Sequence, residues 1–528
     1  MGWTSLRWPL LRCRRMANRA NHVFDRAREC PDKTAIIFGD QQISFGDLAR
    51  QTKALAGGLI SAGIERGMHV GILIPSCPDF ILVEQALFAI GAVITPLNIS
   101  YRPGEIAHAV ETCNLAFVIS TSMLLAPLDG SAMPSSLISF ISIDSGGTDG
   151  TILSLPALTT ASQPVVEPVE VVATDLAMLL LTSATTGKAK GVMLSAGNLA
   201  DNYDRTPQWL GLDGTSTILC ALPLYNTFGL NQCINAMLVT GATMVLLPRF
   251  DAGTCIAAIN AHRCTFLPGV PTMLQKIIDH PDACSETLSS ITRIMTGGAP
   301  VPAPLLRHVL DIAPSAEVLT GYGLTEGTAL VTLTTVRLGD DGEVEHGRTI
   351  GRVLDGMTLK VMDETGQLLP AGTVGEFVIR GPNVMQGYYQ AAEDTATALA
   401  DGWLHSGDVG YLDYDGRAYI VDRLKDVIIR GGQNIYPADI EEVLYAVAGV
   451  AEVAVVGAHD DLMGEVPIAF VAFRPGCEVE ISVLADRCTT QLASYKRPSH
   501  IYVLNELPKG PTGKILRRAL KQTALADA

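Results

Sequence analysis

The sequence predicts an α/β protein with a large N-terminal domain, built on doubly wound sheets with a β-rich subdomain, and a small mobile C-terminal α+β domain. Short apolar runs alternate with helical spacing over residues 35–90, and this alternation indicates largely parallel sheets. Glycine-containing turns separate short apolar runs over residues 330–381, which indicates the β-rich part. A chain of 528 residues exceeds what one core accommodates, so we expect at least two domains.

The first elements follow from local signals. Ala35–Phe38 is an apolar run typical of a strand, and Ser44 and Asp47 are placed to start a helix. Residues 70–74 predict another strand, and residues 79–90 have the apolar spacing of a helix. Residues 130–171 are rich in Ser, Thr, Pro and Gly, so we predict an irregular connection with little regular structure there.

A loop suited to polyphosphate follows the buried strand predicted at Leu176–Leu181. Hydroxyl side chains, glycine backbone and lysine charge are groups that bind phosphate oxygens. The candidate phosphate ligands are Thr182, Ser183, Thr185, Thr186, Gly187 and Lys188. The loop of P-loop NTPases needs glycine where Thr182 stands and Ser or Thr where Ala189 stands. That class is therefore excluded at two positions.

The later elements include a helix capped by Ser195 and a strand at residues 242–247. After a charged stretch at residues 422–426, the pattern of apolar residues becomes that of an α+β module. We predict a helix at 437–447, strands at 451–456 and 468–473, a helix that ends at 492, and a strand at 500–504.

Composition excludes some functions. A net charge of −16 disfavours general nucleic-acid binding, which rewards a basic face. The 11 cysteines include no C-x-x-C pair, which favours reduced thiols in a cytosol-like compartment. No apolar run approaches the ~20 residues of a membrane span.

The N-terminus allows two interpretations. Residues 1–20 contain five arginines and no acid, which is typical of a mitochondrial presequence or a basic membrane-contacting arm. Alternatively, Met16 is the true start and residues 1–15 are an extension. We favour a start at Met16 and a cytoplasmic protein.

Four further segments carry a recognisable pattern: residues 320–326, 402–410, 422–437 and 507–515. With the phosphate loop, and in this order, they resemble the adenylate-forming superfamily of acyl-CoA synthetases, peptide-synthetase adenylation domains and luciferases. One departure is Ala184, which stands where the family usually has glycine. If that position needs positive φ, alanine costs roughly 1–2 kcal/mol.

The resemblance implies a role for each matching residue. Tyr322 would stack on adenine beside Gly321, Thr325 would contact the α-phosphate, and Glu326 would help to hold Mg²⁺. Asp408 and Arg423 would bind the ribose, with Lys425 as the hinge residue. Lys514 would be the catalytic lysine, because one cation between the substrate carboxylate and the α-phosphate offsets their repulsion. Gly431 and Gly432 would line the CoA tunnel, and Gly298, Ala299 and Pro300 would also contact ATP.

The implied domains are residues 16–422 for acyl and ATP binding, 423–426 as the hinge and 427–528 as the mobile C-terminal domain. The acyl pocket would include Tyr225, Asn226, Phe228, Gly229, Val270 and Gly298. Residues 224–230 contain no carboxylate to hold an amino group, so an apolar acid is expected rather than an amino acid. Many acyl-CoA synthetases have histidine where Asn226 stands, so gating of the pocket would differ.

The implied reaction uses ATP, Mg²⁺ and CoA to convert a carboxylic acid, through an acyl-adenylate, to acyl-CoA, AMP and pyrophosphate. We favour a medium- or long-chain fatty acid, with an aryl acid as the alternative. An acyl-AMP ligase that loads a carrier protein, a luciferase-like oxygenase and a silent nucleotide-binding protein remain as rivals. The last is disfavoured because all the matching catalytic residues are present. A carrier-protein partner and a homodimer stay open.

Overall fold

The computed structural model describes residues 18–128, 131–144, 152–182, 189–339, 344–345, 348–460, 462–474, 476–510 and 515–526. The chain divides into two compact units. Unit 1 comprises residues 1–358 and 379–404, and unit 2 comprises residues 359–378 and 405–528. The predicted hinge at 423–426 lies within unit 2 and stays a prediction, as do the predicted domain bounds.

The strands in the described residues are β1 Thr34–Phe38, β2 Gln41–Ser44, β3 His69–Leu73, β4 Val93–Pro96, β5 Phe117–Ser120, β6 Ser139–Ser142, β7 Ile152–Ser154, β8 Leu176–Leu181, β9 Gly191–Ser195, β10 Thr217–Cys220, β11 Thr243–Leu246, β12 Phe266–Gly269, β13 Arg293–Gly297, β14 Glu317–Gly323, β15 Leu330–Leu338, β16 Val344–Glu345, β17 Gly351–Val353, β18 Thr358–Met362, β19 Gly375–Arg380, β20 Gly387–Tyr388, β21 Leu404–Leu412, β22 Arg417–Arg423, β23 Ile428–Arg430, β24 Gln433–Ile435, β25 Val450–Asp460, β26 Gly464–Phe473 and β27 His500–Val503.

The α-helices are α1 Asn21–Glu29, α2 Phe45–Ser61, α3 Pro78–Ile90, α4 Pro103–Cys113, α5 Ser122–Leu125, α6 Leu155–Ala161, α7 Ala196–Asn202, α8 Thr206–Trp209, α9 Thr227–Gly229, α10 Ala236–Thr240, α11 Ala252–His262, α12 Pro271–Ile278, α13 Ala303–Ile312, α14 Ala392–Ala398, α15 Pro437–Tyr445, α16 Ile481–Gln491 and α17 Arg517–Ala526. None of the helices in these residues is long and apolar enough to cross a membrane.

The first sheet of unit 1 has the strand order β20-β9-β8-β4-β3-β5-β6-β7. The strands from β8 through β7 pair in parallel, whereas β8–β9 and β9–β20 are antiparallel. Helix α2 begins where it was predicted, because the Ser44 side chain accepts a hydrogen bond from Asp47 N at 3.0 Å. The predicted alternation of strand and helix, with a parallel sheet, is confirmed.

The prediction of an irregular connection over residues 130–171 is wrong. Strands β6 and β7 extend the parallel sheet, with Val118 opposite Phe140 and Ile141 opposite Leu153. Helix α6 follows, and the Ser154 side chain caps it. Elements of three or four residues are too short to show periodicity, so pairing with β5 rather than local pattern determines them.

The second sheet runs β2-β1-β11-β10-β12-β13-β14-β15-β17 within unit 1. Strands β1, β11, β10, β12, β13 and β14 are parallel to one another, and β15 turns antiparallel against β14. The strands between residues 330 and 380 confirm the predicted β-rich part. Because neighbouring parallel strands end at the same edge, the chain that follows β10, β12, β13 and β14 meets there.

Unit 2 contains the α+β module predicted near the C-terminus. Strands β25 and β26 form a long antiparallel pair, and β27 joins β26 in parallel. Apolar residues of α15 and α16, such as Leu444 and Leu484, pack with Val455 and Val471 of the sheet, while Leu520 of α17 packs with Phe470. The hairpin β23–β24 and helix α17 are additional elements that the sequence pattern did not indicate.

Candidate active site

The carboxyl-terminal edge of the second sheet collects most of the predicted acyl- and adenine-binding residues of unit 1. Strands β10, β12, β13 and β14 are parallel neighbours, so the segments after them lie at one edge. These segments carry Tyr225, Asn226, Phe228 and Gly229 after β10, Val270 after β12, Gly298, Ala299 and Pro300 after β13, and Gly321 and Tyr322 in β14. This edge is where ligands bind in open α/β sheets.

The glycines around Tyr322 are required by strand packing. A Cβ at Gly321 would lie 2.5 Å from Thr332 O, and one at Gly323 would lie 1.9 Å from Ala329 O. Tyr322 itself is 7% exposed. Its backbone N donates to Thr332 Oγ1 at 3.3 Å. The close approach of β15 therefore explains both glycines, and it fixes the tyrosine between them.

The first acyl-pocket segment is a tight turn into a helix. Asn226 Oδ1 accepts a hydrogen bond from Gly229 N at 3.1 Å, so this residue caps α9. A Cβ at Gly229 would lie 2.2 Å from Pro223 O. Gly229 therefore has a packing role in the turn, and the Asn226 side chain is committed to the backbone.

The predicted phosphate loop is described only at its two ends. Thr182 N donates to Lys190 O at 3.0 Å, and Lys190 N donates to Thr182 Oγ1 at 3.2 Å. These two bonds join the end of β8 to the chain entering β9. Ser183, Thr185, Thr186, Gly187 and Lys188, together with Ala184, lie outside the described residues, as do Lys514 and residues 1–15.

Thr325 and Glu326 lie in a short 3₁₀ turn, Thr325–Gly327, that ends in strained backbone. Thr328 has φ of +69°, a region that β-branched residues rarely adopt. Its hydroxyl donates to Asn383 O at 2.5 Å. Glu326 is half-buried, and its Oε1 accepts a hydrogen bond from the Tyr388 hydroxyl at 2.9 Å.

In unit 2, Asp408 and Arg423 face each other across the antiparallel pair β21–β22. Arg423 Nε lies 3.0 Å from Asp408 Oδ1. The Asp408 side chain is 4% exposed and that of Arg423 is 42% exposed. The two predicted ribose-binding residues are therefore brought together, and Asp408 lies within strand β21.

The predicted hinge residue follows immediately. Leu424–Asp426 is a 3₁₀ turn after β22. Burial and the neighbouring Arg423 charge lower the pKa of Lys425, against the opposite effect of nearby carboxylates. Just before this turn, Asp422 Oδ2 accepts from Ala438 N at 3.0 Å, and burial raises the pKa of Asp422 to about 6.

Gly431 and Gly432 form the two-residue loop of the β23–β24 hairpin. Arg430 pairs with Gln433, and the glycines have φ of +57° and +80°. Positive φ at both central residues is what a type I′ hairpin turn requires. The turn geometry therefore explains the two glycines independently of any role in CoA binding.

The segment around Lys514 is described on both sides of residues 511–514. Lys509 and Ile515 form a β-bridge. Lys509 forms ion pairs with Glu452 and with Glu506, and these carboxylates raise its pKa although burial alone would lower it. Lys509 is thus a paired structural residue.

Two family models match the chain. The AMP-binding enzyme model matches residues 23–389, and the AMP-binding enzyme C-terminal domain model matches residues 439–514. The chain belongs to the AMP-binding enzyme family. The resemblance noted in the sequence is therefore confirmed, and the protein is an AMP-forming acid–thiol ligase that uses ATP and CoA.

Curated relatives cover nearly the whole chain. A feruloyl-CoA synthase of Amycolatopsis sp is 35% identical, over 94% of this chain and 97% of the relative. A 4-coumarate–CoA ligase of Pinus taeda is 31% identical over 96% and 95%. A long-chain-fatty-acid–CoA ligase of Bacillus subtilis (strain 168) is 30% identical over 94% and 92%.

Solved structures agree on the fold. ATP-bound MatB from Rhodopseudomonas palustris superposes with a TM-score of 0.86 at 29% identity, over 96% of this chain and 98% of that one. MenE from Bacillus subtilis, in complex with ATP and a magnesium ion, gives a TM-score of 0.81 at 29% identity, over 95% and 99%. The predicted fold class is confirmed.

The site also contains residues that sequence reasoning missed. Asn383 and Tyr388 hold the Thr325–Thr328 turn, yet no local pattern marks them. The only signal is the Gly381-Pro382-Asn383 turn, which indicates a loop but not what it contacts.

Proposed function

We propose that the protein activates an apolar carboxylic acid with Mg²⁺ and ATP and transfers the acyl group to the thiol of CoA. The convergence of the acyl- and adenine-binding segments at one sheet edge of unit 1 carries this proposal. The segments 224–230, 270–274 and 297–300 contain no charged residue. Such a lining favours an apolar acid and disfavours an amino acid, whose ammonium group needs a carboxylate.

Within the apolar acids, we propose an aryl acid of the cinnamic type as the first candidate. Two relatives named for such acids, feruloyl-CoA synthase and 4-coumarate–CoA ligase, cover the chain at 35% and 31% identity. A medium- or long-chain fatty acid, which the sequence favoured, is the second candidate because a fatty-acid ligase matches at 30%. Tyr225 and Phe228 offer rings for packing against either.

In the first half-reaction, a carboxylate oxygen attacks the α-phosphorus of ATP and the bond to pyrophosphate breaks. Tyr322 holds adenine, Thr325 contacts the α-phosphate and Lys514 bridges the two anions. In the second half-reaction, the CoA sulfur attacks the acyl-adenylate carbonyl and AMP leaves. We propose that residues beyond Lys425 rotate between the two, with Gly431 and Gly432 lining the CoA tunnel.

The residues present fit a magnesium ion bound mainly through substrate. Among the described residues, no group of three or more His, Cys, Asp or Glu side chains could hold a metal alone. Mg²⁺ commonly takes one or two protein carboxylates and completes its shell with phosphates and water. Glu326 supplies one such carboxylate. When bound, the ion neutralises phosphate charge.

The deciding experiment measures pyrophosphate release with cinnamic-type acids and with fatty acids of graded length, with and without CoA. Release with one class of acid, and thioester when CoA is present, supports the proposal and selects the substrate class. Release without thioester indicates a carrier-protein acceptor. No release with any acid overturns the proposal.

A second experiment separates the half-reactions. Lys514→Ala should lower ATP–pyrophosphate exchange by roughly 10²–10³-fold, while thioester formation from a supplied acyl-adenylate persists. Lys509→Ala is the matched control, because Lys509 is committed to Glu452 and Glu506. Equal loss of both half-reactions in Lys514→Ala would contradict the domain rotation.

A further inference from the structure

One short segment of unit 1, residues 383–388, holds the turn that carries Glu326. Asn383 Nδ2 donates to Gly327 O at 3.0 Å, and Asn383 O accepts from the Thr328 hydroxyl. Met385 N donates to Glu326 O at 2.8 Å. Tyr388 then reaches the side-chain carboxylate itself. This concentration of contacts on a turn with strained backbone indicates that the position of Glu326 is closely defined.

From this geometry we infer that Tyr388 is a positioning residue for Glu326: its hydroxyl holds one carboxylate oxygen and so would fix the carboxylate in one orientation for binding Mg²⁺. This inference rests on the proposed metal role of Glu326. It adds a residue that the sequence motifs do not include.

The Tyr388 ring is itself fixed by the backbone. Tyr388 pairs with Val192 of β9, and its N donates to Thr395 Oγ1 of α14 at 2.8 Å. A Cβ at the preceding Gly387 would lie 2.6 Å from Thr395 Cγ2, so α14 can approach β20 this closely only because residue 387 is glycine. The hydroxyl is therefore presented to Glu326 from a strand held on two sides.

The chemistry of the donor matters. A phenol donates a hydrogen bond without bringing a positive charge, so Glu326 keeps the negative charge that a cation needs. The nearby cation, Lys190, lies with Nζ 5.0 Å from the centre of the Tyr388 ring and forms its ion pair with Asp394. A phenol has an ordinary pKa of about 10, so the hydroxyl is protonated at neutral pH and can donate.

Tyr388→Phe removes the hydroxyl and keeps the ring. Tyr389→Phe is the matched control, because it deletes the same group one residue away, where the ring packs edge-on against His69. Calorimetric titration of ATP at graded Mg²⁺ concentrations separates the metal-dependent part of ATP affinity from the rest. Loss of a group that orients a metal ligand typically costs 10–100-fold in metal affinity.

We expect Tyr388→Phe to reduce the Mg²⁺-dependent gain in ATP affinity about 10-fold. Its affinity for ATP without Mg²⁺ and its thermal midpoint should both equal the values of Tyr389→Phe. In the Glu326→Gln background, Tyr388→Phe should have no further effect. If Tyr388→Phe keeps the full Mg²⁺-dependent gain while Glu326→Gln loses it, this inference is overturned and the metal role of Glu326 stands. If Glu326→Gln also keeps the gain, the metal role fails and the inference fails with it.

Discussion

The two units each present one carboxylate assigned to ATP, and the donors that hold them differ in charge. Glu326 of unit 1 accepts from the neutral Tyr388 hydroxyl at 2.9 Å. Asp408 of unit 2 faces the Arg423 guanidinium at 3.0 Å. A neutral donor leaves the net negative charge of a carboxylate available to Mg²⁺. A carboxylate that binds ribose hydroxyls needs only lone pairs, and a paired guanidinium offsets part of the cost of burying it.

A third carboxylate, that of Glu84, also has a neutral donor, but it is more deeply buried than Glu326. Glu84 in α3 is 4% exposed and accepts a hydrogen bond from the Gln85 amide at 3.0 Å. The Arg19 guanidinium, whose charge acts to lower the pKa of Glu84, is itself paired with Asp204 at 2.6 Å. Burial thus raises the pKa of Glu84 to about 7 although it has a neutral donor. Three substitutions compare the roles of the three carboxylates.

The largest effect is expected for Glu326→Gln. The amide cannot bind Mg²⁺ as an anion does, so kcat/KM should fall by roughly 10²–10³-fold, the loss typical of one preorganised electrostatic group. The apparent affinity for Mg²⁺ should fall with it. ATP–pyrophosphate exchange over a Mg²⁺ series measures both.

Glu317→Gln is the control for that substitution. Glu317 begins β14, at the opposite edge of the sheet from the candidate site, and contacts Thr335 and Arg293. An equal loss in Glu317→Gln would show that unit 1 is merely destabilised by such changes.

An intermediate effect is expected for Asp408→Asn. Hydrogen bonds to charged groups contribute about 1.5–3 kcal/mol, so KM for ATP should rise roughly 10- to 100-fold while the Mg²⁺ dependence stays that of the wild type. Asp415→Asn, at the exposed tip of the same hairpin, should change neither. A shifted Mg²⁺ dependence in Asp408→Asn would contradict the assignment of Mg²⁺ to Glu326 and of ribose to Asp408.

The smallest effect on activity is expected for Glu84→Gln, because this substitution concerns stability instead. Because the folded-state pKa of Glu84 lies above its ordinary value of 4.5, at about 7, the folded protein binds more protons between these values. Its stability therefore falls as pH rises through this window.

Glu84→Gln removes that dependence. The variant should be about as stable as wild type at pH 4.5 and roughly 3 kcal/mol more stable at pH 8, because the shift from 4.5 to about 7 corresponds to about 1.4 kcal/mol for each pKa unit. Thermal melting across pH 4.5–8 measures the difference. A constant difference at all pH values would show that Glu84 is not the titrating group.

The sequence predicted the elements that local chemistry determines. Ser44 and Ser195 cap helices as expected, because a side-chain oxygen three residues before a free backbone N–H is a local signal. Parallel sheets were predicted, whereas the sheet edge that gathers the candidate site comes from the strand order in the structure. Roles for Asp408, Arg423 and Lys514 came from motif resemblance, and they stay predictions.

The remainder depended on long-range pairing. Strands β6 and β7 exist because β5 is available beside them, and Tyr388 meets Glu326 across 62 positions of sequence. No window of neighbouring residues contains that information. The glycines at 431 and 432 are visible in the sequence, but the hairpin turn that requires positive φ at both is not.

The same segment that holds Glu326 affects the order in which the protein can fold. Asn198, at the start of α7, donates to Pro382 O across 184 positions and to Val384 O across 186. Long-range contacts of this kind form late, because closing the long intervening loop has an entropic cost that opposes them. On the ribosome, the bonds from Asn198 and from the Thr325–Thr328 turn can form only after residues 382–388 have emerged. The framework around Glu326 is therefore completed only after most of unit 1 has been synthesised.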